Sequence, residues 1–228
     1  MKSTSGDYKI RSFVRREGRI TRSQLWALDN LLDVYGLPAD RVLDFPRIFS
    51  NNNKQVVLEI GFGNGEAMLD NAIQNPGINY VGIEVHRPGV GHLLNKIKQN
   101  ALTNIRVCNQ DAVEVIDRQI PDASLSKILV FFPDPWHKKR HHKRRLLNVS
   151  FFNKAERILK PGGILHIATD WEDYAMNIVE LGNNQSQLNN LSVNGSFVQR
   201  PAERIETKFE KRGLNLGHRV YDIMYKRV

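Results

Sequence analysis

The run Val56-Val57-Leu58 ends on Glu59, and Gly61, Gly63 and Gly65 follow at alternate positions. Glycine adopts backbone shapes closed to other residues and lets a ligand lie directly against the main chain. After a strand and before a helical pattern, this spacing reads as a nucleotide-cofactor cradle. The acidic residue selects among cofactors. A dinucleotide loop offers amide N–H groups and a helix N-terminus to an anionic pyrophosphate. A carboxylate in that place repels phosphate and suits a cation. A sulfonium that also carries an amino-acid ammonium is such a ligand, so the pattern favours S-adenosylmethionine over a nicotinamide dinucleotide.

Three further carboxylates, Glu84, Asp111 and Asp134, fall at or just beyond expected strand ends. In an open parallel sheet those ends lie along one edge, where ligands bind. Glu84 is suited to accept both ribose hydroxyls, a contact that nicotinamide enzymes share. Asp111, within Asn109-Gln110-Asp111-Ala112, either accepts from an adenine amino group or caps a helix. Asp134 sits in Phe131-Phe132-Pro133-Asp134-Pro135-Trp136, where two prolines fix the backbone just past an apolar run. Trp136 offers a stacking face and Asp134 an acceptor for ring N–H or amino groups. The plainer reading of that motif is a rigid turn with a packed tryptophan. A basic run from His137 to Arg145 follows at once. Its Lys138, Arg140, His141, His142, Lys143, Arg144 and Arg145 are expected to grip a phosphate backbone, with affinity falling as salt rises. The adjacent cations argue against a metal centre on His137, His141 and His142, so no metal is expected. Asp170 follows another strand, and Thr207-Lys208-Phe209-Glu210 offers mixed donors and acceptors near the end of the chain.

The elements that must hold these groups alternate strand and helix. Strands are expected at Gln55–Ile60, Asn79–Glu84, Ile105–Cys108, Ser126–Phe132 and Ile164–Thr169, the fourth almost wholly apolar as in a sheet covered on both faces. Helices are expected from Glu66, over Gly89–Asn100, Ala112–Ile120 and Ser150–Leu159, and from Trp171 to Leu181. Repeated βα units of this length imply an open parallel sheet with helices on both faces. Upstream, Thr21 and Gln24 have capping-box spacing, Leu25, Leu28 and Leu32 share a helical face, and Gly36-Leu37-Pro38 ends that helix. Arg41–Lys54 reads as a loop, and Gly182–Ser196 as a polar, asparagine-rich connection. His218–Lys226 alternates, with Tyr221, Ile223 and Tyr225 on one face, and reads as a terminal antiparallel strand.

Lys+Arg 33 against Asp+Glu 24 gives a net charge of +9, which favours a polyanionic partner without choosing among RNA, DNA and acidic membrane. The length suits one core, so residues 21–228 are expected to form a single domain behind a basic arm over residues 1–20. That arm reads either as a disordered tail or as a segment that orders on a polyanion. It carries charges without the apolar core of a secretory signal, and no apolar run is long enough to span a bilayer, so a cytoplasmic protein is expected. Cys108 is a lone cysteine in a strand pattern and reads as a small buried residue.

Taken together, Glu59–Gly65, Gly82-Ile83-Glu84-Val85-His86, Pro133–His141, Ala168-Thr169-Asp170 and Thr207–Glu210 closely resemble the bacterial tRNA (guanine-N7)-methyltransferases, over nearly the full length of the chain. The resemblance implies a Rossmann-like class I methyltransferase fold, with a mostly parallel seven-stranded sheet, an antiparallel final strand and helices on both faces. It implies S-adenosylmethionine as cofactor and the variable-loop guanine of tRNA as methyl acceptor. Glu59, Glu84, Asp111 and Asp134 would contact the cofactor, and Asp134 would also be catalytic. Lys138, Asp170 and Thr207, Lys208, Phe209 and Glu210 would meet the tRNA. No obligate protein partner is implied, and both monomer and homodimer fit. Three other readings stay open at this point: a non-catalytic RNA-binding protein, a nicotinamide oxidoreductase, and a DNA or small-molecule methyltransferase. The intact loop with all four edge carboxylates weighs against the first, Glu59 against the second, and the motif match against the third.

Overall fold

The structure is a computed structural model that describes residues 11–13, 18–51, 53–206, 210–211, 217 and 219–228. Most of the basic arm and three expected tRNA contacts, Thr207, Lys208 and Phe209, lie outside the described residues. Seven strands form one sheet: β1 Gln55–Ile60, β2 Ile78–Ile83, β3 Ile105–Cys108, β4 Leu125–Phe131, β5 Leu159–Thr169, β6 Leu188–Asn190 and β7 Tyr221–Arg227. Their spatial order is β3-β2-β1-β4-β5-β7-β6. β1 to β5 pair in parallel, whereas β7 runs antiparallel to both β5 and β6. This is the expected class I sheet with its reversed final strand.

Helices α1 Arg22–Tyr35, α3 Glu66–Gln74 and α4 Arg87–Gln99 accompany the β1–β3 half of the sheet. Their core includes Val57, Met68, Tyr80, Leu93, Ile97 and Leu129. Helices α5 Ala112–Arg118, α6 Val149–Ile158 and α7 Glu172–Asn183 pack together on the other core, with Leu58, Ile128, Val130, Phe152, Ile167, Tyr174 and Tyr225. Neighbours Val57 and Leu58 fall in different cores, as the two-residue period of a strand requires. Cys108 is buried, and desolvation pushes its thiol up to about 12, so it serves as core and not as a nucleophile. Among the described residues no helix is long and apolar enough to cross a membrane.

Local signals and structure differ in four instructive places. The capping box at Thr21 and Gln24 forms as expected, but α1 buries Ala27, Leu28 and Leu31, leaving Leu25 exposed. The reason is close packing: a Cβ at Gly91 of α4 would stand 2.5 Å from the Gln24 carbonyl oxygen. Residues 41–54 are not all loop, because Asp44 caps a short helix, α2 Phe45–Phe49, whose two phenylalanines enter the core. β5 begins before Pro161-Gly162-Gly163, which bulges out where the register with β4 shifts, and Gly162 has φ +79°. The polar connection holds the three-residue strand β6.

The Gly91 contact makes a test. Gly91→Ala should overpack the α1–α4 crossing and lower unfolding free energy by about 1–3 kcal/mol in urea titrations. Unchanged stability would mean that the two helices do not approach this closely.

Candidate active site

β1, β2, β3 and β4 all point their C-terminal ends to one edge, and the strand order reverses between β1 and β4. A crevice opens outside the sheet at such a reversal. On its β1 side, Gly61, Gly63 and Gly65 have φ of +78°, +60° and +75°, which is why these positions are glycine. A Cβ at Gly61 or Gly63 would meet nothing within 4 Å, so the main chain there is open to a ligand. The loop is held from behind. The Gly63 N–H donates to Glu84 Oε2 and the His86 N–H donates to Glu84 Oε1, both at 2.8 Å. Each oxygen keeps a lone pair for a further donor such as a hydroxyl. A Cβ at Gly89 would lie 2.0 Å from the Gly63 carbonyl oxygen, so the start of α4 is glycine to let the loop settle against it.

Glu59 is 6% exposed, and burial followed by the nearby Glu84 charge pushes its carboxyl up to about 7. A buried carboxylate beside a second one suits a cationic ligand. Asp111 caps α5, accepting from the Val113 N–H at 2.9 Å, and also lines a cavity of about 800 Å³ with Val85, Pro88, Asn109 and Gln110. The helix-cap reading of Asp111 is thus observed, and its place on the cavity leaves the adenine contact available. Leu25, Leu28 and Leu32 also line the cavity, so the apolar stripe read from the sequence borders it. Arg11 and Phe13 line it as well, a contribution without a sequence signal. Open glycine main chain and paired carboxylates fit S-adenosylmethionine, and the cavity of ligand size begins next along the chain, at Val85 after Glu84.

On the β4 side the chain turns sharply. Phe132 and Trp136, which bracket Pro133-Asp134-Pro135, have φ of +51° and +49°, each costing on the order of 1–3 kcal/mol for a non-glycine residue. The Phe132 N–H donates to the Ala168 carbonyl at 2.8 Å, tying the turn to β5. Asp134 is exposed at this edge, and Asp170 follows the end of β5. Trp136 is half-buried and packed, as the plainer reading of the motif has it. Its ring lies 3.9 Å under the Arg144 guanidinium, and its Nε1–H donates to the Ser12 carbonyl at 3.1 Å.

The basic run divides by burial. Lys138, Arg140 and Lys143 are exposed, and His141 and His142 are half-buried on a 3-10 helix, Lys139–Arg144. Arg144 is committed to the arm, donating at 3.1 Å to the carbonyls of Arg11 and Phe13. Arg145 corrects the expectation of a phosphate grip, because it is 4% exposed and braces the turn from inside. Its Nε donates to the Pro135 carbonyl at 2.9 Å, its Nη2 to Asp173 at 2.6 Å, and its guanidinium covers Tyr174. The same hydrogen bond holds the Asp173 carboxyl below the usual carboxylate range. Glu210 likewise sits 2% exposed, away from the surface expected of a tRNA contact. Among the described residues no three acidic, histidine or cysteine side chains are arranged to hold a metal.

Comparison with known proteins agrees with this geometry. Residues 53–223 match a family described as putative methyltransferase. The chain is 50% identical over 219 residues to a tRNA (guanine-N(7)-)-methyltransferase of Methylococcus capsulatus, covering 96% of this chain and 94% of that one. It is 48% identical over 220 residues to the protein of the same name from Aliivibrio salmonicida, covering 96% and 92%. Among solved structures, the 16S rRNA methyltransferase KamB superposes with a TM-score of 0.59 at 17% identity, over 85% of this chain and 98% of that one. That likeness is one of fold.

The raised Glu59 carboxyl has a measurable consequence. A cationic ligand favours the ionised form, so S-adenosylmethionine should bind more tightly as pH rises through about 7, releasing a proton below that value. The free protein should do the reverse, losing stability as pH climbs from the ordinary carboxylate range toward about 7, because the folded state holds the proton more tightly. Calorimetric titration in buffers of different ionisation heat reads the proton release. Glu59→Gln should abolish it; proton release surviving that change would assign the titration to another group.

Proposed function

Because the chain belongs to the family of tRNA (guanine-N(7)-)-methyltransferases, we propose that it transfers the methyl group of S-adenosylmethionine to N7 of the variable-loop guanine of tRNA. The crevice between β1 and β4 carries the reading, since carboxylates suited to a cationic cofactor stand there beside Asp134 and an exposed basic face. Residues 21–228 serve as one methyltransferase domain and residues 1–20 as a basic arm. A tRNA substrate puts the enzyme in the cytoplasm, and it works as a monomer or homodimer.

Glu59 holds the cationic methionine end, Glu84 accepts from the ribose while keeping the loop shaped, and Asp111 meets the adenine in the cavity it lines. The bound cofactor supplies a methyl group on a positively charged sulfur. Guanine N7 has a lone pair and no hydrogen, so no residue has to remove a proton from the nucleophile. The N7–carbon bond forms as the carbon–sulfur bond breaks, with its electron pair going to sulfur. What remains for the protein is alignment and charge. Asp134, with Asp170, accepts from the N1–H and amino edge of the guanine and opposes the positive charge that develops on the ring. Lys138, Arg140, His141, His142 and Lys143 hold the tRNA backbone in a salt-sensitive way. The guanine must leave its tertiary pairing to reach this edge.

Incubating the protein with unmodified tRNA and methyl-labelled S-adenosylmethionine should place label in 7-methylguanosine after digestion. Label in another nucleoside, or none, would contradict the reading. Asp134→Asn should lower single-turnover methyl transfer by about 10²-fold with little change in tRNA binding. Equal turnover would remove Asp134 from the chemistry.

A further inference from the structure

One cluster of charge lies outside both the cofactor crevice and the basic face. Two described residues between β6 and β7, Arg204 and Glu210, meet Asp222 of β7. Arg204 is 3% exposed, Glu210 2%, Asp222 of β7 2% and His166 of β5 1%. Arg204 Nη1 donates to Glu210 Oε2 and Nη2 to Glu210 Oε1, both at 2.6 Å, the two-pronged geometry of a guanidinium on a carboxylate. Nη2 also donates to Asp222 Oδ2 at 3.0 Å. Nε approaches Asp222 Oδ1 to 2.8 Å as an ion pair, without the alignment of a hydrogen bond. His166 Nε2 bonds the same Asp222 Oδ1 at 2.7 Å, and desolvation keeps the imidazole below the usual histidine range, so it meets Asp222 as a neutral donor.

This cluster reaches the strand residue that leads into the Asp134 turn. The Arg204 guanidinium lies 5.8 Å from the centre of the Phe131 ring, and the His166 ring meets Phe131 edge-on at 5.0 Å. Phe131 is the last residue of β4, directly before the left-handed Phe132 and three positions before Asp134. Asp222 stands opposite Ala168 in the β5–β7 register, and Ala168 accepts the hydrogen bond that ties Phe132 to the sheet. A strained turn keeps its shape only where its surroundings over-determine it. Here one guanidinium is packed against the turn's root while it neutralises two buried carboxylates.

We propose that Arg204 is a positioning residue for methyl transfer, supporting Phe131 and through it Asp134, and that Glu210 is its buried counter-charge and not a contact to tRNA. The inference deepens the tRNA methyl-transfer reading and rests on it. Arg204 acts through its two-pronged fork and its charge, so lysine, which keeps the charge alone, replaces it poorly.

The test uses the full-length protein with an unmodified tRNA transcript, and three quantities: the single-turnover rate at saturating tRNA, the tRNA dissociation constant without cofactor, and the melting temperature. Glu210→Gln should lower the rate about 10-fold and leave the tRNA dissociation constant within about 2-fold. Arg204→Lys should do the same. Arg204→Met leaves Glu210 buried without its partner, so adding Glu210→Gln to it should recover rate and melting temperature relative to Arg204→Met alone, because a stranded buried charge is worse than none. If Arg204→Met does not fold, Glu210→Gln and Arg204→Lys still decide. Weakened tRNA binding in Glu210→Gln, with rate at saturation and melting temperature unchanged, would overturn the proposal and make Glu210 an RNA contact. So would losses that simply add in the double variant. Methyl transfer by the wild-type protein, run alongside, separates failure of this inference from failure of the functional reading.

Discussion

The reversal of strand order between β1 and β4 is the constraint on which the working edge depends. It opens a crevice at the C-terminal ends of the strands and brings the turn after β1 beside the turn after β4. The two turns have opposite tasks. The first must expose main chain to a cofactor, and three left-handed glycines, pinned by the double acceptor Glu84, achieve that. The second presents Asp134 on a backbone bracketed by two prolines and by two residues of left-handed conformation, which suits the placement of a carboxylate proposed above. In-line transfer to a ring nitrogen without a proton to remove demands little acid–base chemistry and close placement. The structure is accordingly rich in devices that fix positions.

Arginines supply several of those devices. A chain with a net charge of +9 reads as a polyanion binder, yet part of that charge points inward. Arg145 ties the Pro135 carbonyl to Asp173, Arg204 lies 5.8 Å from the centre of the Phe131 ring, and Arg144 joins the Arg11 carbonyl to the face of Trp136. Each guanidinium satisfies several acceptors at once, which a lysine in the same place does not. Lys138, Arg140 and Lys143 stay exposed, as the phosphate contacts proposed above require.

Much of this was legible in the sequence because the sheet is built from short apolar runs, each stopped by glycine, proline or a carboxylate. Those stops also fall along the crevice edge, so Glu59, the three glycines, Glu84, Asp111 and Asp134 could be read as candidates together with the strands they end or follow. Short elements were not legible: α2 has five residues and β6 three, too few for either to show a period. The inward turn of Arg145 and Glu210 was invisible for a different reason. A basic run and an acidic motif look alike whether they face solvent or core, and their partners Pro135, Asp173 and Arg204 are fixed only by tertiary packing. The stripe of Leu25, Leu28 and Leu32 was read correctly as one face, but the sequence does not say that this face borders a cavity.

The account stands on N7 of guanine as the atom that attacks. A tRNA transcript whose variable-loop guanine is replaced by 7-deazaguanine has a carbon in that place and keeps the ring edge offered to Asp134 and Asp170. Binding of this tRNA and methyl transfer to it should be measured side by side with the normal transcript. Binding should stay within about 2-fold of normal, with no methyl transfer at all. Transfer to the altered tRNA at an undiminished rate would contradict it and move the reaction to another atom.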